Sequence, residues 1–277
     1  MTTTATAPRD GSRGETSGTS VQLDSVSIGF GSTEIVEGIS LDIRPGEFVC
    51  LLGPSGCGKS TLLSSIAGFT AVTGGTITCA GEPVLGANPH AGMVFQQSDA
   101  LFDWMSVAAN VSYGPKMHGA SKAEQSRISD RFLSMVGLRK AGAKFPNQLS
   151  GGMRQRVQIA RVLANEQPLV LMDEPFGALD AQTRAVMQAE LTQIWEETGC
   201  TVVFVTHDID EAVALADRVV VMSSGPKAGL KSVYDLNLPR PRERTSAEVV
   251  SVYEQLRADI REEVAASLRA QGLDDEG

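Results

Sequence analysis

The sequence predicts an α/β fold: a parallel-sheet core, an antiparallel β portion towards its amino-terminal end, and a helical insertion between strands of the core. Three observations predict it. The stretch "LLGPSGCGKSTLLSSIAG", Leu51 to Gly68, places a glycine-rich turn between a short apolar run and a segment with helical spacing. The runs "LVLMDEP", "TVVFVTH" and "RVVVMSS" are short, apolar and rich in β-branched residues, and helix-patterned segments separate them, as in a parallel sheet. By contrast "VQLDSVSI" alternates apolar and polar, as an antiparallel strand with one wet face does.

The 277 residues suffice for a large α/β domain with a substantial core. The opening "MTTTATAPRDGSRGETSGTS", residues 1–20, lacks the apolar middle of a signal peptide and is expected to be a disordered tail. A formal charge of -9 argues against a general nucleic-acid partner, which usually meets a basic excess. The four cysteines, Cys50, Cys57, Cys79 and Cys200, show no C-x-x-C spacing, so neither a zinc site nor a redox pair is expected. Cys50 and Cys79 lie in apolar strand-like runs and read as small core residues. No apolar run reaches the ~18 residues that a membrane span needs.

From "VQLDSVSIGF" to about Gly81 the pattern is short strands, turns and one helix. Within it, Gly53 to Ser60 spells G-x-x-x-x-G-K-S. Strand, glycine-rich turn and helix are what a phosphate-binding loop requires. Gly53, Gly56 and Gly58 let backbone N–H groups turn inward around phosphates, and the following helix adds its partial positive charge. Lys59 can reach the outer phosphates, and the Ser60 hydroxyl can ligate Mg²⁺. The candidate nucleotide-binding set is therefore Gly53, Pro54, Ser55, Gly56, Cys57, Gly58, Lys59, Ser60 and Thr61.

Between about residues 98 and 148 strand formers become scarce and helical periods take over. "SKAEQSRISDRFLSMVGL" puts Ile128, Phe132, Met135 and Leu138 on one stripe, and Ser121 with Glu124 makes a capping box. Then "LSGGMRQRVQIARVLA" places Ser150, Gly151 and Gly152 at a helix start, a second anion-binding helix N-terminus in one chain. The strand "PLVLMDEP" ends in two carboxylates, which packing explains poorly. Asp173 is suited to holding Mg²⁺ together with Ser60, and Glu174 to polarising a water for attack on a γ-phosphate. After the proline-broken "LPRPRERTS", Val249, Tyr253, Leu256 and Ile260 share one face of a final helix, expected to pack on the body of the protein.

Taken in order, these motifs resemble the nucleotide-binding subunits of ABC transporters over about residues 21–244. The resemblance implies a P-loop NTPase core of ABC ATPase type with an antiparallel β subdomain and a helical insertion, followed by a C-terminal helical tail over 245–277. It assigns Phe30 in "IGFG" to stacking on adenine, Gln96 in "MVFQQ" to the Q-loop, "LSGGM" to the signature, Asp180 in "DEPFGALD" to the D-loop, and His207 in "VTHD" to the switch. It implies ATP and Mg²⁺ as ligands, with Ser60, Gln96 and Asp173 on the metal. Ser150 to Gly152 of one copy would then meet the γ-phosphate held by Lys59 of a second copy. Met153 departs from the glutamine common in the signature, but the serine and backbone contacts do not use that side chain.

"VFQQSDALFDWMSVAANVSYG", with Trp104, and "LNLPRPRERTS" are similar to the nitrate, sulfonate and taurine importer branch of that family. That similarity implies a separate integral membrane permease, a periplasmic or lipid-anchored substrate-binding protein reached through the complex, and a peripheral place on the cytoplasmic face of the membrane. The stretch from Gln96 to Tyr113, through Leu101, Phe102, Trp104 and Met105, is the expected permease dock, with Phe102 or Trp104 exposed. The alternative is an ABC-type ATPase that works without a permease.

Overall fold

Five strands lie parallel in one sheet, whose central strands are too hydrophobic to have a wet face. A computed structural model describes residues 17–96 and 100–270 of the chain. In it β3 (Phe48–Leu52), β7 (Leu169–Asp173) and β8 (Thr201–Thr206) are buried at every position. They stand at the centre of a six-stranded sheet completed by β6 (Ala91–Val94), β9 (Arg218–Met222) and β10 (Leu230–Asp235). The order is β10-β9-β3-β8-β7-β6, and only β10 runs antiparallel.

The two-residue period of a strand sorts the core into two layers. Phe48, Cys50, Leu52, Met172 and Phe204 face the helical layer that includes Val157, Ile159 and Trp195. Val49, Leu51, Leu171, Val203 and Val205 face the opposite layer. There they meet Leu62, Leu63 and Ile66 of α1 (Lys59–Ile66) and the inner face of a second, antiparallel sheet. That sheet has the order β2-β1-β4-β5, from β1 (Val21–Phe30), β2 (Thr33–Ile43), β4 (Gly74–Cys79) and β5 (Glu82–Pro83). The alternation of "VQLDSVSI" is interrupted by a bulge, where Ser25 takes φ 51 and the register with β2 shifts between Leu23 and Val26.

The helical segment comprises α2 (Val107–Val111), α3 (Tyr113–Met117) and α4 (Lys122–Met135). Its expected beginning at Ser98 lies outside the described residues. The capping box of Ser121 and Glu124 forms as the spacing predicts. The expected stripe needs correction: Phe132 and Leu133 are buried, Ile128 and Met135 only partly, and Leu138 lies beyond the helix end. Gly137 at φ 67 turns the chain, and the Leu138 N–H returns to the Leu133 carbonyl at 2.7 Å. Leu138 is buried by this helix-terminating turn instead of by helical periodicity.

α5 (Gly151–Leu163), α6 (Ala181–Thr198) and α7 (Ile209–Leu215) complete the layer. The final helix α8 (Ala247–Ala270) packs on α7 and β9 through Val249 and Leu256, with Ile260 partly buried. It also covers the β10 edge, where the Tyr234 hydroxyl donates to Asp259 at 2.7 Å and Lys231 pairs with Glu263 at 2.8 Å. No described helix is long and apolar enough to cross a membrane.

The expected disordered tail of residues 1–20 also needs correction at its end; residues 1–16 lie outside the described set. Thr19 is buried, and its carbonyl accepts from the Thr201 hydroxyl at 2.6 Å. The Ser20 carbonyl accepts from the Ala80 N–H at 3.0 Å. Thr19 and Ser20 belong to the packed body because Thr201 and Ala80 hydrogen-bond their carbonyls.

Candidate active site

The parallel strands all deliver their carboxyl ends to one edge of the sheet, and most of the candidate residues lie there. The glycine-rich loop follows β3, His207 follows β8, Asp173 ends β7, and Gln96 comes two residues after β6. Since β3, β8, β7 and β6 are successive neighbours, segments more than a hundred residues apart meet side by side. Ligands of open α/β sheets bind at this edge.

Gly56 and Gly58 take φ 81 and φ 89, a conformation that a side chain disfavours. A Cβ at Gly58 would also stand 2.7 Å from a Val36 methyl, so β2 closes against the loop. The loop then enters α1, which has no capping side chain and no acidic residue in its first turn. Its first N–H groups and positive dipole end are thus free to receive an anion. Lys59 is only 5% exposed, and its ammonium donates to the Gly53 and Pro54 carbonyls at 2.8 Å each. Cys57 packs beneath it, with Sγ 3.7 Å from the Lys59 nitrogen, and burial pushes its thiol above the ordinary range.

Ser60 donates its hydroxyl to Asp173 Oδ1 at 2.8 Å. Burial raises the Asp173 carboxyl above its usual pKa, and the Ser60 hydrogen bond opposes that shift. Two hard oxygens beside a phosphate loop fit Mg²⁺, which takes few protein ligands and completes its shell with phosphate oxygens and water. Among the described residues no group of three or more His, Cys, Asp and Glu could hold a metal ion. The fit therefore rests on the Ser60–Asp173 pair.

Glu174 lies between two partners. Gln96 Nε2 donates to one carboxylate oxygen at 3.2 Å, and His207 Nδ1 stands 3.2 Å from the other. Glu174 itself has φ 43, left-handed and uncommon for a residue with a side chain, while its N–H stays bonded to the Val205 carbonyl at 3.0 Å. The backbone bond to β8 anchors this conformation.

The remaining candidates are held by contacts of their own. The Ser150 hydroxyl caps α5 by accepting from the Met153 N–H at 3.3 Å, and Gly151 borders open space. A Cβ on Gly152 would stand 3.2 Å from the Ala178 carbonyl, so this turn lies against the 174–180 segment. Asp180 caps α6, accepting from the Thr183 N–H at 3.0 Å, which holds its carboxyl below the ordinary value. Phe30, at the end of β1, is 58% exposed. Among the described residues no hydrogen bond or ion pair joins Ser150 or Asp180 to Lys59, Asp173 or Glu174.

Sequence reasoning missed residues that hold the site in place. Gln155 on α5 donates to the Phe95 carbonyl at 3.2 Å and fixes the entry to Gln96. Buried Asn110 binds the Phe102 N–H at 2.9 Å and the Phe102, Met105 and Ser106 carbonyls at 3.1–3.2 Å. It pins the loop that presents Trp104, which is 73% exposed, while Leu101 is buried and Phe102 half-buried. A buried amide amid apolar positions is the one signal that could have marked Asn110.

Comparisons with known proteins show the family and the fold. A family model described as ABC transporter matches residues 36–177. The taurine import ATP-binding protein TauB of Jannaschia sp. is 46% identical over 84% of this chain and 86% of its own. The nitrate import ATP-binding protein NrtD of Synechococcus elongatus is 45% identical over 81% and 82%. Among solved structures, the dimeric post-hydrolysis state of the ATP-binding cassette MJ0796 bound to ADP and Pi matches with a TM-score of 0.70. It is 32% identical, covering 79% of this chain and all of that one.

Proposed function

The chain belongs to the ABC transporter family and is an ABC transporter ATPase, and from that premise we propose that it powers an importer of a small solute such as taurine, another sulfonate or nitrate. The observation that carries the catalytic part is Glu174 held between Gln96 and His207 at 3.2 Å each. A carboxylate so placed beside a phosphate loop can take a proton from an attacking water. In this reading Glu174 is the general base, His207 orients it, and Lys59 and the loop N–H groups hold the phosphate chain. Ser60, Asp173 and Gln96 would hold Mg²⁺, which would neutralise charge on the phosphate oxygens when bound.

The outward-facing turn of Ser150 to Gly152 supports a head-to-tail dimer with a second copy. Its α5 N-terminus can bind an anion, Ser150 shares no hydrogen bond with the chain's own phosphate loop among the described residues, and Gly151 borders open space. Asp180 and Phe30 fall to the same reading, Asp180 at the dimer contact and Phe30 against adenine. The exposed Trp104, on a loop pinned by Asn110, supports an integral membrane permease as the next partner, with a substrate-binding protein beyond it. The protein would then work at the cytoplasmic face of the membrane.

Reconstitution with a candidate permease and binding protein from the same organism tests the proposal. Stimulation of ATP hydrolysis by taurine, another sulfonate or nitrate is the expected result. Failure to associate with any membrane protein would favour an ATPase that acts without a permease.

A further inference from the structure

Arg184 lies in the first turn of α6, and its side chain runs back toward the helix N-terminus. Its guanidinium meets groups on two separate segments. Nη2 donates to the Leu179 carbonyl at 3.2 Å, in the loop that Glu174 begins. Nη1 donates to Asp208 Oδ2 at 3.2 Å, and Nε stands 3.6 Å from Glu211 Oε1. Asp208 directly follows His207, and its other oxygen caps α7 through the Asp210 N–H at 2.8 Å. On the other side of His207, the Thr206 hydroxyl donates to buried Glu211 at 2.6 Å and accepts from the Asp208 N–H at 3.0 Å.

These contacts form a closed ring. Glu174 touches His207, His207 is bonded to Asp208, Asp208 pairs with Arg184, and Arg184 holds Leu179, five residues after Glu174. The histidine side chain is itself 60% exposed, so its position depends on its backbone and on the Glu174 contact. A rigid planar fork can serve two acceptors on separate segments at fixed angles, which a lysine cannot do, and the Glu211 carboxylate adds an ion pair at 3.6 Å.

We infer that Arg184 is a positioning residue for hydrolysis, setting His207 at its distance from Glu174 by tying the switch segment to the Leu179 loop. The inference rests on the reading that Glu174 and His207 act together.

The test measures phosphate release from MgATP, binding of a fluorescent ATP analogue, and thermal unfolding for Arg184→Met and Arg184→Lys. Each is made in the full chain with and without His207→Ala. Acting through His207, Arg184→Met should lower kcat about tenfold with KM within about twofold, and Arg184→Lys should recover part of the loss. In the His207→Ala background the same substitution should change the rate by less than about twofold. An undiminished loss in that background, or a folded Arg184→Met with the parent rate, would overturn the inference. Should Arg184→Met not fold, Arg184→Lys carries the same comparison with the same two readings. A His207→Ala protein that hydrolyses ATP normally would instead overturn the site reading, and this inference with it.

Discussion

Ser60 and Asp173, 113 residues apart in sequence, are joined by a hydrogen bond of 2.8 Å between the start of α1 and the end of β7. The contact exists because β3, which leads into α1, and β7 are both neighbours of β8. Burial of Asp173 disfavours its carboxylate and raises its pKa, and the Ser60 hydrogen bond opposes that shift.

Asp173→Asn is therefore expected to separate stability from function. The carboxamide can still accept from Ser60, but the charge that attracts Mg²⁺ is lost, and hydrolysis should fall at least about a hundredfold. A folded pKa above the unfolded one favours the native state at acid pH, and that advantage is lost as pH rises through the raised value. At neutral pH the nucleotide-free variant should be as stable as the parent or more so. Thermal unfolding beside Mg²⁺-dependent phosphate release checks both halves.

Glu174→Gln keeps the shape and the Gln96 contact but removes the base. ATP binding should persist while hydrolysis slows by about two to four orders of magnitude, leaving an ATP-bound dimer. Size-exclusion chromatography with and without MgATP reads the dimer directly. Normal turnover, or no dimer with ATP, contradicts the role.

Trp104→Glu places a charge on the exposed ring position of the loop that Asn110 pins. Because the ring is largely outside the core, the melting temperature should change little, as surface substitutions usually alter stability by less than about 0.5 kcal/mol. Permease pull-down should be lost while nucleotide affinity is kept. Retained pull-down would move the dock elsewhere.

Leu256→Ala empties a fully buried position under α8 and should cost about 2–4 kcal/mol in urea unfolding. A value near zero would mean that the final helix is not part of the cooperative unit.

The amino-acid pattern by itself determined the elements whose periodicity follows from burial. Strands buried on both faces must be apolar throughout, so β3, β7 and β8 were legible as runs, and the alternating β1 as a one-faced strand. The phosphate loop was legible because its glycines are required by local backbone geometry, which spacing records. Leu138 was placed on a helix that had already ended, since a stripe continues in sequence through a glycine turn that breaks it in space. The tertiary structure alone decided which strand neighbours which, and with it that Gln96 and His207 flank Glu174. It alone decided that Trp104 faces out while Leu101 faces in. The roles of Asn110, Gln155 and Arg184 were hidden for one physical reason. A polar side chain that satisfies backbone carbonyls or carboxylates from distant segments leaves no periodic trace, because its partners are chosen by chain crossing and not by spacing.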